Sequence, residues 1–213
     1  MDRCVSRGDS TLEAPSQDRD YSTFPALPVL AGDIWYRAHQ NRFSPWYFSA
    51  TPGRFNLVSP RGTLNVASSA EVATREALGQ VLVGDPVLPE AMVETRTVAA
   101  LTMPPLNAAD FTADEASTYG IVPGDITGPM ADGYSTTRQW ARAMETAGFD
   151  AVHSRSRFGT GPDPRCLYVF GDEGQQPTMG QVGQQTPLRK ILEQMPGYTI
   201  DPCPYSSELI IED

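Results

Sequence analysis

The sequence is poor in the residues that usually build metal and redox sites. Its 213 residues include three cysteines, Cys4, Cys166 and Cys203, with no CxxC spacing, which argues against both a disulfide framework and a zinc knuckle. Two histidines, His39 and His153, leave little material for a metal centre, so no metal is expected. No apolar run approaches the roughly 18 residues of a membrane span, and no basic stretch leading into an apolar one opens the chain. Positive charge is scarce too: 16 Lys plus Arg stand against 26 Asp plus Glu, a net charge of −10. Such a surface repels phosphate backbones, so direct binding of nucleic acid is not expected. The P-loop, GxGxxG, HExxH and GxSxG signatures are missing as well. These absences lead to the expectation of a soluble, cytoplasmic protein with no membrane partner.

Glycine and proline, by contrast, are plentiful. Eighteen Gly and 19 Pro make up roughly 17 % of the chain against about 12 % typically, which predicts short elements and long connections rather than a helical bundle. Residues 1–30 are polar and without period, and read as a loosely ordered leader. Ile34 to His39 reads as a strand with Trp35, Arg37 and His39 on one face, followed by a long aromatic loop over 40–61 and a second strand over 63–67. Ser68-Ser69-Ala70-Glu71 has the form of a capping box and predicts a helix over 69–83, with Val72, Ala73, Ala77 and Val81 inward. A strand is expected over 93–101, and irregular chain over 104–133 with a short helix opened near Thr112 to Glu115. Another helix is expected over 136–147, capped by Ser135, stopped by Gly148 and striped by Trp140, Met144 and Ala147. Alternating residues 149–158, an apolar run Cys166–Phe170, a helix near 188–194 and a last apolar run, 209–211, complete the chain. Strands and helices mix without strict βαβ alternation. The expected fold class is therefore α+β, a bent sheet with flanking helices.

Three placements point toward chemistry. Arg37 sits inside an apolar-aromatic strand, where a guanidinium is costly unless it meets an anion, though an exposed edge position is the other explanation. Arg54 stands beside Gly53 in an aromatic loop, which is also the form of an ordinary surface turn. Glu76 lies at the margin of the predicted helix's apolar stripe, where it is either solvated or partly desolvated and able to hold sugar hydroxyls. Ser154 and Ser156 share a strand face on which small hydroxyls either touch a ligand or fill space.

In chain order, Trp35-Tyr36-Arg37-Ala38-His39, Gly53-Arg54-Phe55-Asn56, Ala70 to Glu76, and Gly148 to Val152 followed by Ser154-Arg155-Ser156-Arg157 resemble the RES domain family. The Cys166–Phe170 run is similar to that family's closing strand. The resemblance spans about 34–171, which sets a domain at 31–171 with a C-terminal extension, 172–213, packed on it. It implies an ADP-ribosyltransferase-like fold and an NAD-consuming enzyme, a glycohydrolase or phosphorylase, that acts as the toxin of a toxin–antitoxin pair. Alternatives are an ADP-ribosyltransferase and a catalytically silent binding domain. The implied partners are NAD, as substrate rather than cofactor, and an Xre-type antitoxin protein; a homo-oligomer is left open. Carried over by position, the catalytic residues are Arg37, Glu76 and Ser156, with Ser154 of the same Ser-Arg form. Arg54, Tyr36, Tyr47, Asn65 and Ser154 are the expected NAD contacts. Asn65 is a departure, because the family usually carries a tyrosine in that strand, and Tyr36 or Tyr47 is the expected spatial substitute.

Overall fold

Short β-branched and aromatic runs punctuated by Gly and Pro give many short elements. The structure, a computed structural model, describes residues 12–84, 87–129 and 132–202. In chain order the first half comprises β1 (Ala26–Val29), β2 (Ile34–Gln40), β3 (Tyr47–Phe48), β4 (Arg61–Ala67), α1 (Ala70–Gly84), β5 (Val87–Pro89), α2 (Glu90–Glu94), β6 (Arg96–Thr102) and β7 (Leu106–Asp110). A 3-10 turn (Asp114–Tyr119) follows, then α3 (Pro123–Thr127), α4 (Ser135–Thr146), β8 (Ala151–Arg155), β9 (Arg165–Asp172), β10 (Gly174–Gln175), β11 (Gln181–Pro187), α5 (Leu188–Leu192) and β12 (Thr199–Asp201).

Eight strands form one mixed sheet in the order β1-β7-β8-β9-β4-β2-β6-β11, parallel only between β7 and β8. Cores lie on both faces of this sheet. One gathers Phe24, Phe55, Phe111, Trp140 and Met144, and the other Trp46, Phe48, Leu64, Leu101 and Leu167. The sheet with its flanking helices is the α+β architecture expected from the sequence. Its pairing is uneven where it matters. β4 and β9 pair without interruption from Arg61↔Asp172 to Ala67↔Cys166, whereas β2 meets β4 at the single pair Tyr36↔Ala67. The strands therefore diverge beyond Tyr36, and the sheet opens into a cleft.

Local signals and tertiary outcome differ at several points. Ser69 caps α1, its Oγ accepting from the Val72 N–H at 3.2 Å, while the Ser68 hydroxyl accepts from the Arg165 N–H instead. Ala77 is exposed rather than inward, because Leu78, one position on, fills the core. The α4 N-terminus is capped not by Ser135 but by Asp132, whose carboxylate accepts from the N–H groups of Thr136 at 2.7 Å and Tyr134 at 3.1 Å. Val93 belongs to α2, so the strand expected from 93 begins at Arg96. The stretch read as irregular from 104 holds β7, which β1 and β8 pin from either side. Nor are residues 21–30 a loose leader: Tyr21 and Phe24 are buried against Trp140, and β1 is an edge strand of the sheet. β11 likewise pairs with β6 at the opposite edge. Cys4, Cys203 and the apolar run 209–211 lie outside the described residues.

Candidate active site

The cleft is built where β2 leaves β4. Asn65 is the exposed residue of an otherwise buried strand, since the cleft opens directly over it. One chamber, of about 240 Å³, is bordered by Tyr36, Arg37, Asn56, Ala73, Cys166 and Tyr168. A second, of about 410 Å³, is bordered by Arg54, Arg96, Tyr134, Arg157 and Phe158. Asn65, Glu76, Ala77 and Tyr168 line both chambers, so the Glu76 carboxylate stands at their junction.

Glu76 is held from across the cleft. Its Oε1 accepts a short hydrogen bond from the Ser156 hydroxyl and a second from the Phe158 N–H at 3.1 Å. The Ser156 oxygen in turn accepts from the Gly159 N–H at 2.7 Å, which directs the serine's single proton at the carboxylate. Both partners of Oε1 come from the loop after β8, so Oε2 is left for the cleft. Glycine is required on each side of this clasp. A Cβ at Gly79 would lie 2.2 Å from the Phe158 ring, and one at Gly159 would lie 2.7 Å from the Ser156 oxygen.

Two arginines border the cleft, one in each chamber. Arg37 extends from β2, and its Nη1 donates to the Pro45 carbonyl at 2.8 Å. Burial lowers its pKa to about 10, because no carboxylate among the described residues offsets the lost hydration. Arg54 is only 9 % exposed; its Nη2 donates to the Gly128 carbonyl at 2.9 Å, while its Nη1 is buried without a partner. Burial also pushes the Arg54 pKa down, against the pull of nearby Tyr168, Tyr134 and Glu76 and with the push of Arg157. The next residue, Phe55, has φ +58°, an unfavourable conformation for an L-residue that its fully buried ring sustains by packing on Phe111 and Tyr168. That reversal sends Arg54 into one chamber and Asn56 into the other.

Of the residues singled out in the sequence, Arg37, Glu76, Ser156, Arg54, Tyr36 and Asn65 converge on this cleft. Ser154 and Tyr47 do not. Ser154 is buried inside β8 with its hydroxyl directed at the Arg155 carbonyl, 3.4 Å away, and Tyr47 stacks on Phe43 at 4.7 Å. Tyr168 is a cleft residue that sequence reading passed over. It sits directly opposite Asn65 in the β4–β9 register, on the same face of the sheet, so an aromatic ring stands beside Asn65 after all. Burial, with Cys166 and Glu76 close by, raises the phenol's pKa well above its usual value and keeps it neutral. No local pattern marks Tyr168, because its run looks like any buried strand.

A carboxylate anchored at the junction of two chambers, each bordered by an arginine that makes no ion pair among the described residues, stands in a sheet split open along one seam. The RES domain family's sequence profile matches residues 34–189, and the chain belongs to that family. The fold is similar to a chain in the crystal structure of the M. tuberculosis MbcT–MbcA toxin–antitoxin complex, with 19 % identity and a TM-score of 0.60 over 78 % of this chain and 90 % of that one. Among curated proteins no sequence matches. Among the described residues, no helix is long and apolar enough to cross a membrane.

Proposed function

We propose that the protein cleaves the bond between nicotinamide and ribose in NAD and serves as the toxin of a toxin–antitoxin pair. The carrying observation is Glu76, clasped through Oε1 at the junction of two chambers, with buried Arg54 in one and partly buried Arg37 in the other, neither ion-paired among the described residues. In the reaction the C1′–N bond breaks heterolytically and its electron pair neutralises the nicotinamide ring. The ribose passes through an oxocarbenium-like state, and a water or phosphate oxygen then forms the new bond to C1′; attack by water releases one proton. Glu76 Oε2 holds ribose hydroxyls and stabilises the developing positive charge. Ser156 acts through Glu76 by fixing its orientation, rather than on the sugar. Arg37 and Arg54 clamp the pyrophosphate, whose oxygens suit the guanidinium fork. Nicotinamide departs as a neutral molecule, so this scheme requires no strong general acid. The toxin role and an antitoxin partner of the Xre type rest on family membership, supported by the fold shared with a chain of a toxin–antitoxin complex.

The test is release of nicotinamide from NAD by the purified protein, with and without inorganic phosphate. Release is expected, and Glu76→Gln lowers it by at least about a hundredfold while the protein stays folded. Acceleration by phosphate assigns phosphorolysis, and radiolabelled protein in place of free ADP-ribose assigns a transferase. Equal release by the Gln variant removes Glu76 from the chemistry and overturns the proposal.

A further inference from the structure

Three arginines and a single carboxylate, Glu76, face the larger chamber. Arg54, Arg96 and Arg157 all line it, in a chain whose net charge is −10. None of the three has a carboxylate partner among the described residues, where the ion-paired arginines are Arg61, Arg165 and Arg189. Arg96 donates to the Met92 carbonyl at 2.7 Å, and Arg157 lies over the Phe158 ring at 4.8 Å. Arg54 and Arg157 are close enough to repel one another, and the buried Nη1 of Arg54 has no acceptor. Like charges crowded in a partly desolvated space are unfavourable, and the one carboxylate that faces them, Glu76, is already engaged by Ser156 and Phe158. With Arg37 and Arg54 matched to the two charges of a pyrophosphate, Arg96 and Arg157 remain. A phosphomonoester, with about −1.5 to −2 charge near neutrality, balances them.

Resting on the NAD-cleaving reading, we infer that this chamber is a second phosphate subsite, formed by Arg96 and Arg157 beside Arg54, and that the preferred dinucleotide carries a phosphate on its adenosine ribose, as NADP does. The ligand chemistry is a phosphate dianion gripped by guanidinium forks. Free inorganic phosphate is its other source, and the experiment separates the two.

Calorimetric titration of the Glu76→Gln variant, which spares the ligand from turnover, compares NADP with NAD. NADP is expected to bind about tenfold tighter or better, as two charge-assisted contacts allow. Adding Arg157→Ala reduces that preference to about twofold and leaves the affinity for NAD in place. Among the described residues, the contact that holds the Arg157 side chain is the adjacent Phe158 ring, so the fold depends on it little. Arg96→Gln, which keeps a donor for the Met92 carbonyl, acts the same way and guards against misfolding. Inorganic phosphate competes with NADP and leaves NAD binding unaltered. Equal affinity for the two dinucleotides overturns the subsite. Phosphate that strengthens NAD binding without any preference for NADP assigns the chamber to free phosphate and equally overturns it. Nicotinamide release by the wild-type protein is read separately. A preference for NADP without release keeps the subsite and sinks the cleavage reading; equal binding with release does the reverse.

Discussion

Arg37 carries a stability cost that the proposed ligand would offset. Its guanidinium is buried against one carbonyl, with its pKa lowered to about 10, so the unliganded protein carries an uncompensated desolvation cost. Arg37→Met, of similar length and no charge, is expected to leave the melting temperature unchanged or raised while nicotinamide release falls by about a hundredfold. A melt in parallel with the assay reads both, and a marked loss of stability would show that Arg37 holds the fold instead. Individual residues were unevenly legible in the sequence. Arg37 and Glu76 stood out because a charge inside an apolar period is visible locally. The choice between Ser154 and Ser156 was not visible, since both precede an arginine. It turns on the loop after β8, whose Phe158 and Gly159 amides draw Ser156 to Glu76.

At the level of elements, α1 and the 156–159 loop form one mechanical unit. Gly79 lets the Phe158 ring rest on the helix, and the Phe158 N–H grips Glu76 one turn earlier. Ala in place of Gly inside a helix ordinarily stabilises it, by roughly 0.5–1 kcal/mol. Here the added methyl would lie 2.2 Å from a ring carbon, so overpacking decides the sign. Gly79→Ala is expected to cost about 1–3 kcal/mol in urea unfolding and to impair nicotinamide release by displacing the clasp. Unchanged activity would show that Glu76 is positioned without Phe158. The helices were readable because caps, stops and stripes act within one or two turns. β7 and β11 were not, since the first carries no clear alternation and the second is polar and exposed. Each is a strand because a neighbour supplies hydrogen bonds, not because its own residues demand it.

Across the whole molecule, the Asp110–His153 pair ties the end of β7 to β8 beneath Trp35. Burial alone would raise the Asp110 pKa. Hydrogen bonds from His153 at 2.9 Å and from the Thr112 hydroxyl and amide, with the charge of His153, instead hold it at about 2. A carboxylate whose pKa is depressed on folding stabilises the fold above its unfolded value near 3.9. That contribution, about 2 kcal/mol, is lost as pH falls from about 4 toward 2. Acid unfolding followed by tryptophan fluorescence is expected to show this loss, and Asp110→Asn should flatten the profile in that window. An identical acid transition in the variant would remove the pair from the stability of the fold.

The sequence by itself determined the α+β class, the span of α1 and α4, and the identity of the charged residues set among apolar neighbours, all matters of propensity and spacing within a few residues. The tertiary structure decided where those residues stand. It set β2 against β4 at one pair and so opened the cleft, placed Tyr168 opposite Asn65, and gathered Arg54, Arg96 and Arg157 around one chamber. These outcomes depend on register between segments up to about a hundred residues apart. Register is fixed by which faces can be buried together across the whole sheet, a condition that no local stretch of sequence contains.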